Sequence, residues 1–561
     1  MDASPPTAPW TDHYAHSCDW DQPFPPLAMT EMFAASVSAY PDRPLSDFYG
    51  RTTSYAETMA EARAFAAGLQ AIGVVKGDRI GLFLPNVPVY LAAYFGAMLA
   101  GATVVNFSPL YTAAELEAQV VDSGARLLVT IDSSALLPTA LTVLSDSPLE
   151  SLIVARLSDM LPRLQGIGLR LFRRSQLTAV PTAPGVIGWN SFISPAAPLA
   201  VAIDPLKDLA LIQYTGGTTG TPKGAMLTHQ NLTANARQIQ AIDPHQHERD
   251  VIVGVLPFFH VFANACVLNR TVLNGGCIAM LPRFDAGQCL KTLARTRATA
   301  MPGVPTMYQA LLDHAGLART DFSTLRVCIS GGAPLPLQVK QRFEAATGAK
   351  LVEGYGLTET SGVVSSNPYE GEERAGTIGQ PIPATQLRLL DKENPARAAP
   401  AGEPGELAIR GPQVMQGYWN RPSADSEAFV CVDGEDWLRT GDVAIIDAEG
   451  YVRIVDRIKD MIAVGGFKVF PSQIEDVLRG HPAVKEALVI GVPDDYRGES
   501  PRAFVTLWPA AEADGASLAL WLNERLGKHE RVDSVVVRES LPKTMVGKLD
   551  RKALRAEVAA G

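Results

Sequence analysis

The chain has 561 residues, 47% of them hydrophobic, and a formal net charge of −10. That length exceeds one ordinary domain, so two or more are expected, each with enough apolar residues for a core. The acidic balance excludes nucleic acid as a partner held by general charge, and any phosphate ligand must be gripped by a local site.

The opening Met1-Asp-Ala-Ser-Pro-Pro has no basic region and no apolar run after it, so no secretory signal is expected. Residues up to about 30, rich in proline and aromatics, are expected to wrap over the first domain. A helix is predicted over 29–40. Thr53-Ser-Tyr-Ala-Glu-Thr marks another helix start, with apolar Phe65, Leu69 and Ile72 following. Then come a buried strand at 78–84, an apolar helix at 87–100 and a second strand at 102–106. This alternation predicts a parallel sheet with helices on its faces. The uncharged run between Arg79 and Glu115 is cut by Pro85, Asn86, Pro88, Asn106 and Pro109. It therefore lacks the ~20 continuous apolar residues of a membrane span.

Residues 161–174 mix apolar side chains with Arg163, Arg170, Arg173 and Arg174. Such a stretch can lie on an anionic membrane surface. The preferred reading is a solvent-exposed connecting helix, because the segment is short and the chain acidic. Residues 181–198 read as a loop.

Leu209-Ala-Leu-Ile212 reads as a short buried strand. It leads into a loop, Tyr214-Thr-Gly-Gly-Thr-Thr-Gly-Thr-Pro-Lys223-Gly-Ala-Met-Leu-Thr-His229, with a helix from Asn231 onward. Glycines let backbone amides approach an anion, and hydroxyls with an ammonium add donors, so a polyphosphate is the natural ligand. The G-x-x-x-x-G-K-[ST] spacing of a Walker loop is absent. His245-Gln-His247-Glu lies among Pro, Asp and Arg and reads as a solvated loop rather than a metal site. A strand at 251–256 precedes Pro257-Phe-Phe-His260-Val-Phe. A lone histidine in such apolar company is commonly a packed core residue.

Leu325-Arg-Val-Cys-Ile-Ser-Gly-Gly-Ala-Pro-Leu335 reads as a strand ending in a glycine turn that holds Gly332. Leu351-Val-Glu353-Gly-Tyr355-Gly-Leu-Thr358-Glu359-Thr360 reads as a strand that delivers an aromatic between two glycines, then a hydroxyl, then a carboxylate. The aromatic face can stack on a purine. A carboxylate beside phosphate is repelled unless a divalent cation bridges them, so Glu359 implies Mg²⁺. The competing reading places Glu359 in the first turn of a capped helix. From about 379, short strand-like runs between Gly/Pro turns indicate a small β-barrel or meander. Within it, Asp442 follows the tight Thr440-Gly441 turn, where a carboxylate can accept both hydroxyls of a ribose. After Asp456-Arg457-Ile-Lys459-Asp460 the composition turns α+β. Helices are expected at 471–479 and 518–526, and strands at 486–491, 503–507 and 534–537. Near the end stand Gly547 and Lys548, the latter open to the plainer reading of a basic tail. Six cysteines, with no C-x-x-C pair, read as buried thiols of a reducing compartment.

The 214–229 stretch resembles the phosphate loop of the adenylate-forming enzymes, the superfamily of acyl-CoA synthetases, luciferases and peptide-synthetase adenylation domains. Its Thr-Gly-Gly opening and Lys-Gly-Ala-Met-Leu-Thr-His ending are most like bacterial long- or medium-chain fatty-acid CoA ligases. Val104-Val-Asn-Phe-Ser-Pro-Leu-Tyr111 is similar to the same group. The Tyr-Gly-Leu-Thr-Glu box, Thr-Gly-Asp, Asp-Arg-x-Lys-Asp and the terminal Gly-Lys follow in family order, so the resemblance spans about 30–555.

The resemblance implies an α/β fold. A large N-terminal domain over 1–456 would hold two α/β subdomains and a small β-barrel. A hinge over 457–460 and a small mobile α+β lid over 461–561 would follow. It implies ATP-dependent activation of a fatty acid to acyl-adenylate and then to acyl-CoA. It assigns Lys548, Thr358 and Glu359 to catalysis, and Thr215, Gly216, Gly217, Thr218, Thr219, Gly220, Lys223, Glu353, Tyr355, Asp442 and Arg457 to ATP. Glu359 and Thr215 would serve Mg²⁺, Lys459 the hinge, and His260, Gly332, Gly465 and Gly466 the acyl and CoA groups. Asn264 stands where some long-chain relatives carry an aromatic gate, so chain length stays open. Partners would be a fatty acid, ATP and coenzyme A, in the cytoplasm. Peripheral membrane contact and a homodimer stay open. Three competing functions are an acyl-AMP ligase that loads a carrier protein, a CoA ligase for an aryl or other non-fatty acid, and a non-catalytic nucleotide-binding module.

Overall fold

The computed structural model describes residues 8–215, 222–400, 402–465, 467–494, 496–509, 511–544 and 549–560. The chain divides into two compact units, His13–Gln386 with Arg410–Ser426, and Met1–Asp12 with Leu387–Ile409 and Glu427–Gly561.

The first unit is α/β, as expected. One sheet runs in the order Val186–Gly188, Ser151–Ala155, Leu127–Ile131, Arg79–Leu82, Thr103–Asn106, Leu209–Thr215, Lys223–Thr228. All neighbours are parallel except the last pair. Its central strands read as continuous apolar runs because helices cover both faces. Tyr55–Ala71 is one such helix; the Ser54 side chain accepts from the Glu57 amide and Glu57 reaches back to the Ser54 amide. This reciprocal cap satisfies two amides that the helix leaves over. Phe65 and Leu69 of that helix are buried, but Ile72 is exposed, because the helix has already ended at Ala71. A second sheet pairs Pro44–Phe48 and Val251–Gly254 with Cys277–Met280, and bridges through Ala300 lead on to Val327–Ser330 and Lys350–Tyr355.

Several expectations need correction. Residues 181–198 are not all loop, since Val186–Gly188 is an edge strand and Trp189–Phe192 a short helix. Trp189 and Phe192 are buried, and Trp189 stacks on Phe65 with ring centres 4.8 Å apart; that aromatic burial organises a segment whose prolines suggested otherwise. The 214–229 stretch is not loop throughout, because Lys223–Thr228 is a strand. The helix after it starts at His229 rather than Asn231, capped by the Thr228 hydroxyl. Residues 13–30 lie along the first unit, with the Tyr14 hydroxyl donating to the Pro381 carbonyl at 2.9 Å. Residues 8–12 belong to the other unit, where a Cβ on Gly450 would come within 2.6 Å of Trp10. Four of the cysteines are buried, but Cys18 is half-buried and Cys431 exposed.

The second unit contains two sheets. An antiparallel one joins Gln386–Leu390, Gly405–Arg410, Glu435–Ile446 and Phe429–Val432, with Val452–Arg457 paired to Glu435–Ile446. Its register shifts are the bulges that curve a meander. The other joins Phe467–Val469, Ile462–Val464, Gly498–Leu507, Val484–Asp494 and Val535–Val537. Helices Pro471–Arg479 and Gly515–Asn523 bury Ile474, Leu478, Leu518 and Leu522 against it. The short turn Ile458–Asp460 separates the two sheets. Among the described residues no helix is long and apolar enough to cross a membrane.

Candidate functional site

In the first unit, the sheet ends in the hairpin of Leu209–Thr215 and Lys223–Thr228. Thr215 and Lys223 are cross-strand neighbours, and the Thr215 hydroxyl donates to the Lys223 carbonyl at 3.4 Å. Gly216, Gly217, Thr218, Thr219 and Gly220 lie outside the described residues. Tyr214 is tied down by its hydroxyl, which donates to Asp122 Oδ2 at 2.6 Å. Burial, then the Asp122 carboxylate, pushes the Tyr214 phenol well above its usual range, so it stays a donor.

The free edge of Lys223–Thr228 is covered by residues 416–419. The Met226 amide donates to the Gly417 carbonyl at 2.9 Å, the Gln416 amide to Met226 at 3.0 Å, and the Trp419 amide to Gly224 at 2.7 Å. This backbone seam sets Tyr418 over the hairpin. Lys223 Nζ lies 5.1 Å from the centre of the Tyr418 ring, within reach of a cation–π attraction. The Tyr418 hydroxyl donates to Glu359 Oε1 at 2.7 Å. Burial, then Glu359, raises the Tyr418 phenol, which keeps its proton for that bond.

Glu359 sits in the short turn Thr358–Thr360, which packs against both hairpin strands. The turn is closed by Thr360, whose hydroxyl accepts from the Leu357 amide at 3.1 Å, and the Met415 amide donates to the Glu359 carbonyl at 2.8 Å. The helix-start reading is therefore half right, since Glu359 does lie in a first turn, of a 3-10 helix three residues long. Lys350–Tyr355 delivers Tyr355, paired with Ser365, to the mouth of this turn. Gly356 passes so close to Gly362 that a Cβ there would lie 1.5 Å from the Gly362 carbonyl oxygen. Glu353 on the same strand accepts from the Leu335 amide at 3.2 Å. That bond joins it to the turn holding Gly332, which follows the parallel strand Val327–Ser330.

His260 is half-buried and caps the turn Val261–Ala263 by accepting from the Phe262 amide at 3.3 Å. The Phe262 ring lies 3.1 Å from where a Gly331 Cβ would stand, so the His260 and Gly332 segments meet. A π-helix, Asn264–Asn269, follows. Asn264 is fully buried, accepting from the Tyr94 hydroxyl at 3.3 Å and from Asn269 Nδ2 at 2.8 Å. The structure thus brings Thr215, Lys223, Thr358, Glu359, Glu353, Tyr355, Gly332 and His260 into one unit. His245 is half-buried and faces Glu248 at 3.2 Å and Glu370 at 3.6 Å. Among the described residues no three His, Cys, Asp or Glu cluster as a ready-made metal site.

In the second unit, Asp442 and Arg457 are register partners, and Arg457 Nε donates to Asp442 Oδ1 at 2.9 Å. Asp442 is 2% exposed. The turn before it is held by Glu406, which accepts from the Gly441 amide at 3.1 Å and pairs with Arg439 at 2.8 Å. Lys459 is exposed, in the turn between the two sheets. Asp460 beside it pairs with Arg551 at 2.9 Å, and Arg551 Nε donates to the Val489 carbonyl. Gly465 is exposed, its amide donating to Arg497 at 2.7 Å. Gly466 and Lys548 lie outside the described residues.

Tyr418 and Glu406 carry no assignment from the sequence. Tyr418 falls in Gly417-Tyr-Trp-Asn-Arg-Pro, where a tyrosine offers no distinctive spacing. Glu406 looks like one polar residue of a strand. Each is identified by what it touches.

Residues 33–419 match the AMP-binding enzyme family, and 473–548 match the AMP-binding enzyme C-terminal domain. The chain is 38% identical over 554 residues to a long-chain-fatty-acid–CoA ligase of Bacillus subtilis, covering 98% of each. It is 39% identical over 539 residues to a protein of the same name from Escherichia coli, covering 94% of each. Among solved structures, ATP-bound MatB from Rhodopseudomonas palustris is similar at a TM-score of 0.80 and 30% identity, over 95% of this chain and 99% of that one.

Proposed function

The chain belongs to the AMP-binding enzyme family of adenylate-forming enzymes, and on that premise we propose that it activates a fatty acid to acyl-CoA. The supporting observation is the trio Lys223, Tyr418 and Glu359, a cation and a carboxylate held by one ring beside the hairpin. In the first half-reaction a carboxylate oxygen attacks the α-phosphorus of ATP, forming acyl-adenylate and expelling pyrophosphate. In the second, the thiol of coenzyme A attacks the acyl carbonyl, its proton is released, and AMP leaves.

The obstacle in the first half is an anion approaching a polyanion. Lys223, with Thr215, Gly216, Gly217, Thr218, Thr219 and Gly220, would supply donors to the phosphates. Glu359 and the Thr215 hydroxyl suit Mg²⁺, which takes one or two carboxylates and leaves its other positions to water and phosphate. When bound, such an ion would supply positive charge to offset that of the phosphates. Thr358 is assigned to the reacting phosphate, Tyr355 to stacking on the adenine, and Glu353 to the nucleotide pocket. Asp442, with Arg457, is assigned to the ribose. His260 and Gly332 are assigned to the acyl side, and Gly465 and Gly466 to the pantetheine arm. Lys548 is assigned to the adenylating state of the lid 461–561, with Lys459 as its pivot.

The test is acid-dependent pyrophosphate release across straight-chain acids of graded length and a set of aryl acids, with coenzyme A or a carrier protein as acceptor. Release and thioester formation with long or medium chains and coenzyme A is the expected result. A preference for aryl acids, or for the carrier, would replace the proposal with that alternative. No release with any acid would leave a nucleotide-binding module.

A further inference from the structure

Asp122 stands in the last turn of the helix Ala113–Ser123, where a negative charge opposes the helix dipole. The helix itself gives no reason for a carboxylate there. The reason lies in three partners from two distant segments. One carboxylate oxygen accepts from the Tyr214 hydroxyl at 2.6 Å. The other pairs with the Arg421 guanidinium. The Asp122 carbonyl accepts from the Trp419 indole at 3.1 Å.

These partners flank the candidate site without entering it. Tyr214 precedes Thr215 on the first hairpin strand, and side chains alternate along a strand, so the two face opposite ways. Trp419 and Arg421 lie just past Tyr418. Where the segments meet, a Cβ on Gly224 would stand 3.5 Å from both the Tyr214 ring and Trp419. Arg79 secures the end of the helix, donating to the Ser123 and Gly124 carbonyls at 3.0 and 2.9 Å. Asp122 therefore grips the hairpin and the Tyr418 segment together, from a fixed support, on the side away from Thr215.

We propose that Asp122 is a positioning residue for the phosphate site. The backbone seam sets which residues of the two segments meet. The Asp122 carboxylate adds a side-chain lock at the end of that seam, so that one ring meets both Lys223 and Glu359. Misplacement of a reacting group by about 1 Å can cost on the order of 10²-fold in rate, so such a lock acts on chemistry that it never touches. This role rests on the reading of Lys223 and Glu359 as partners of phosphate and Mg²⁺.

The test combines calorimetric binding of ATP with Mg²⁺ and acid-dependent pyrophosphate release. Asp122→Ala is expected to lower release about 10–100-fold. The Mg²⁺ concentration for half-maximal rate and KM for ATP should rise severalfold, with KM for the acid unchanged. Asp122→Asn keeps an oxygen for Tyr214 and loses the charge that holds Arg421, so it should fall between. Tyr214→Phe removes only the hydroxyl and should move the same quantities in the same direction, which keeps the test open should Asp122→Ala fail to fold. Combined with Tyr418→Phe, the loss from Asp122→Ala should be much less than additive, because both act through Glu359. Fully additive losses, an unaltered Mg²⁺ dependence, or a rise in KM for the acid alone overturns the positioning role. Absence of pyrophosphate release by the wild type with every acid would overturn the ligase reading instead. ATP affinity would then decide, since a severalfold loss in Asp122→Ala keeps the positioning role and an undiminished affinity removes it.

Discussion

Tyr418 and Glu359 are joined by a 2.7 Å hydrogen bond between residues far apart in the chain, and the donor ring also lies 5.1 Å from Lys223 Nζ. On the proposed assignment of Glu359 to Mg²⁺, Tyr418 is a positioning residue that acts through the carboxylate it holds. Tyr418→Phe keeps the ring and removes the hydroxyl. It should lower pyrophosphate release about 10–100-fold, as loss of an outer partner of a metal ligand does. The Mg²⁺ concentration for half-maximal rate should rise, with KM for the acid little changed. A rate loss with unaltered Mg²⁺ dependence would reduce Tyr418 to a packing role.

Lys548→Ala should separate the two half-reactions. Loss of one well-placed donor to developing charge costs on the order of 10²–10³ in rate, and here the loss should fall on adenylation alone. Thioester formation from supplied acyl-adenylate and coenzyme A should persist. Equal falls in both halves would remove the two-state lid.

Gly356→Ala should be destabilising, because its Cβ would stand 1.5 Å from the Gly362 carbonyl oxygen. Backbone cannot yield as a side-chain tip can, so a cost of about 3 kcal/mol or more is expected, the upper end of overpacking effects. Gly188→Ala is the control, since a Cβ there meets nothing within 4 Å. Its effect should stay within about 0.5 kcal/mol. Urea denaturation of both proteins measures the difference.

Burial holds His16 and His229 at about 4, below the ordinary 6.5, so both are neutral in the folded protein at physiological pH. The unfolded chain gains two protons below about pH 6.5 that the folded chain refuses. The stability they lend is complete above that pH and drains away as pH falls toward 4. Each contributes a slope of up to about 1.4 kcal/mol per pH unit. Denaturation midpoints across that interval should drop steeply, and His229→Gln should remove about half of the slope. A flat profile would mean these rings are hydrated.

Legibility followed the range of the interactions involved. The capped helix at Tyr55, the strands Arg79–Leu82 and Thr103–Asn106 and the apolar helix between them are written in local pattern. Thr215, Lys223 and Glu359 were expected together because phosphate chemistry demands particular residue types at particular spacings, and the structure brings them to one hairpin and the turn packed on it. The strand Val186–Gly188 was hidden, because Trp189 is organised by Phe65, far back in the chain. Tyr418 was hidden for the same reason, its partners being Glu359 and Lys223. The covering of Lys223–Thr228 by 416–419 is a backbone seam, to which side-chain pattern is blind.

That seam constrains the birth of the molecule. The ribosome releases Lys223–Thr228 long before it releases 416–419, so a nascent chain carries an open sheet edge through much of its synthesis. Bare edges of this kind recruit other strands, and their exposure during folding is a route to aggregates. A message truncated between these segments would therefore yield a polypeptide with this hairpin formed and its edge sticky, which quality control would need to clear.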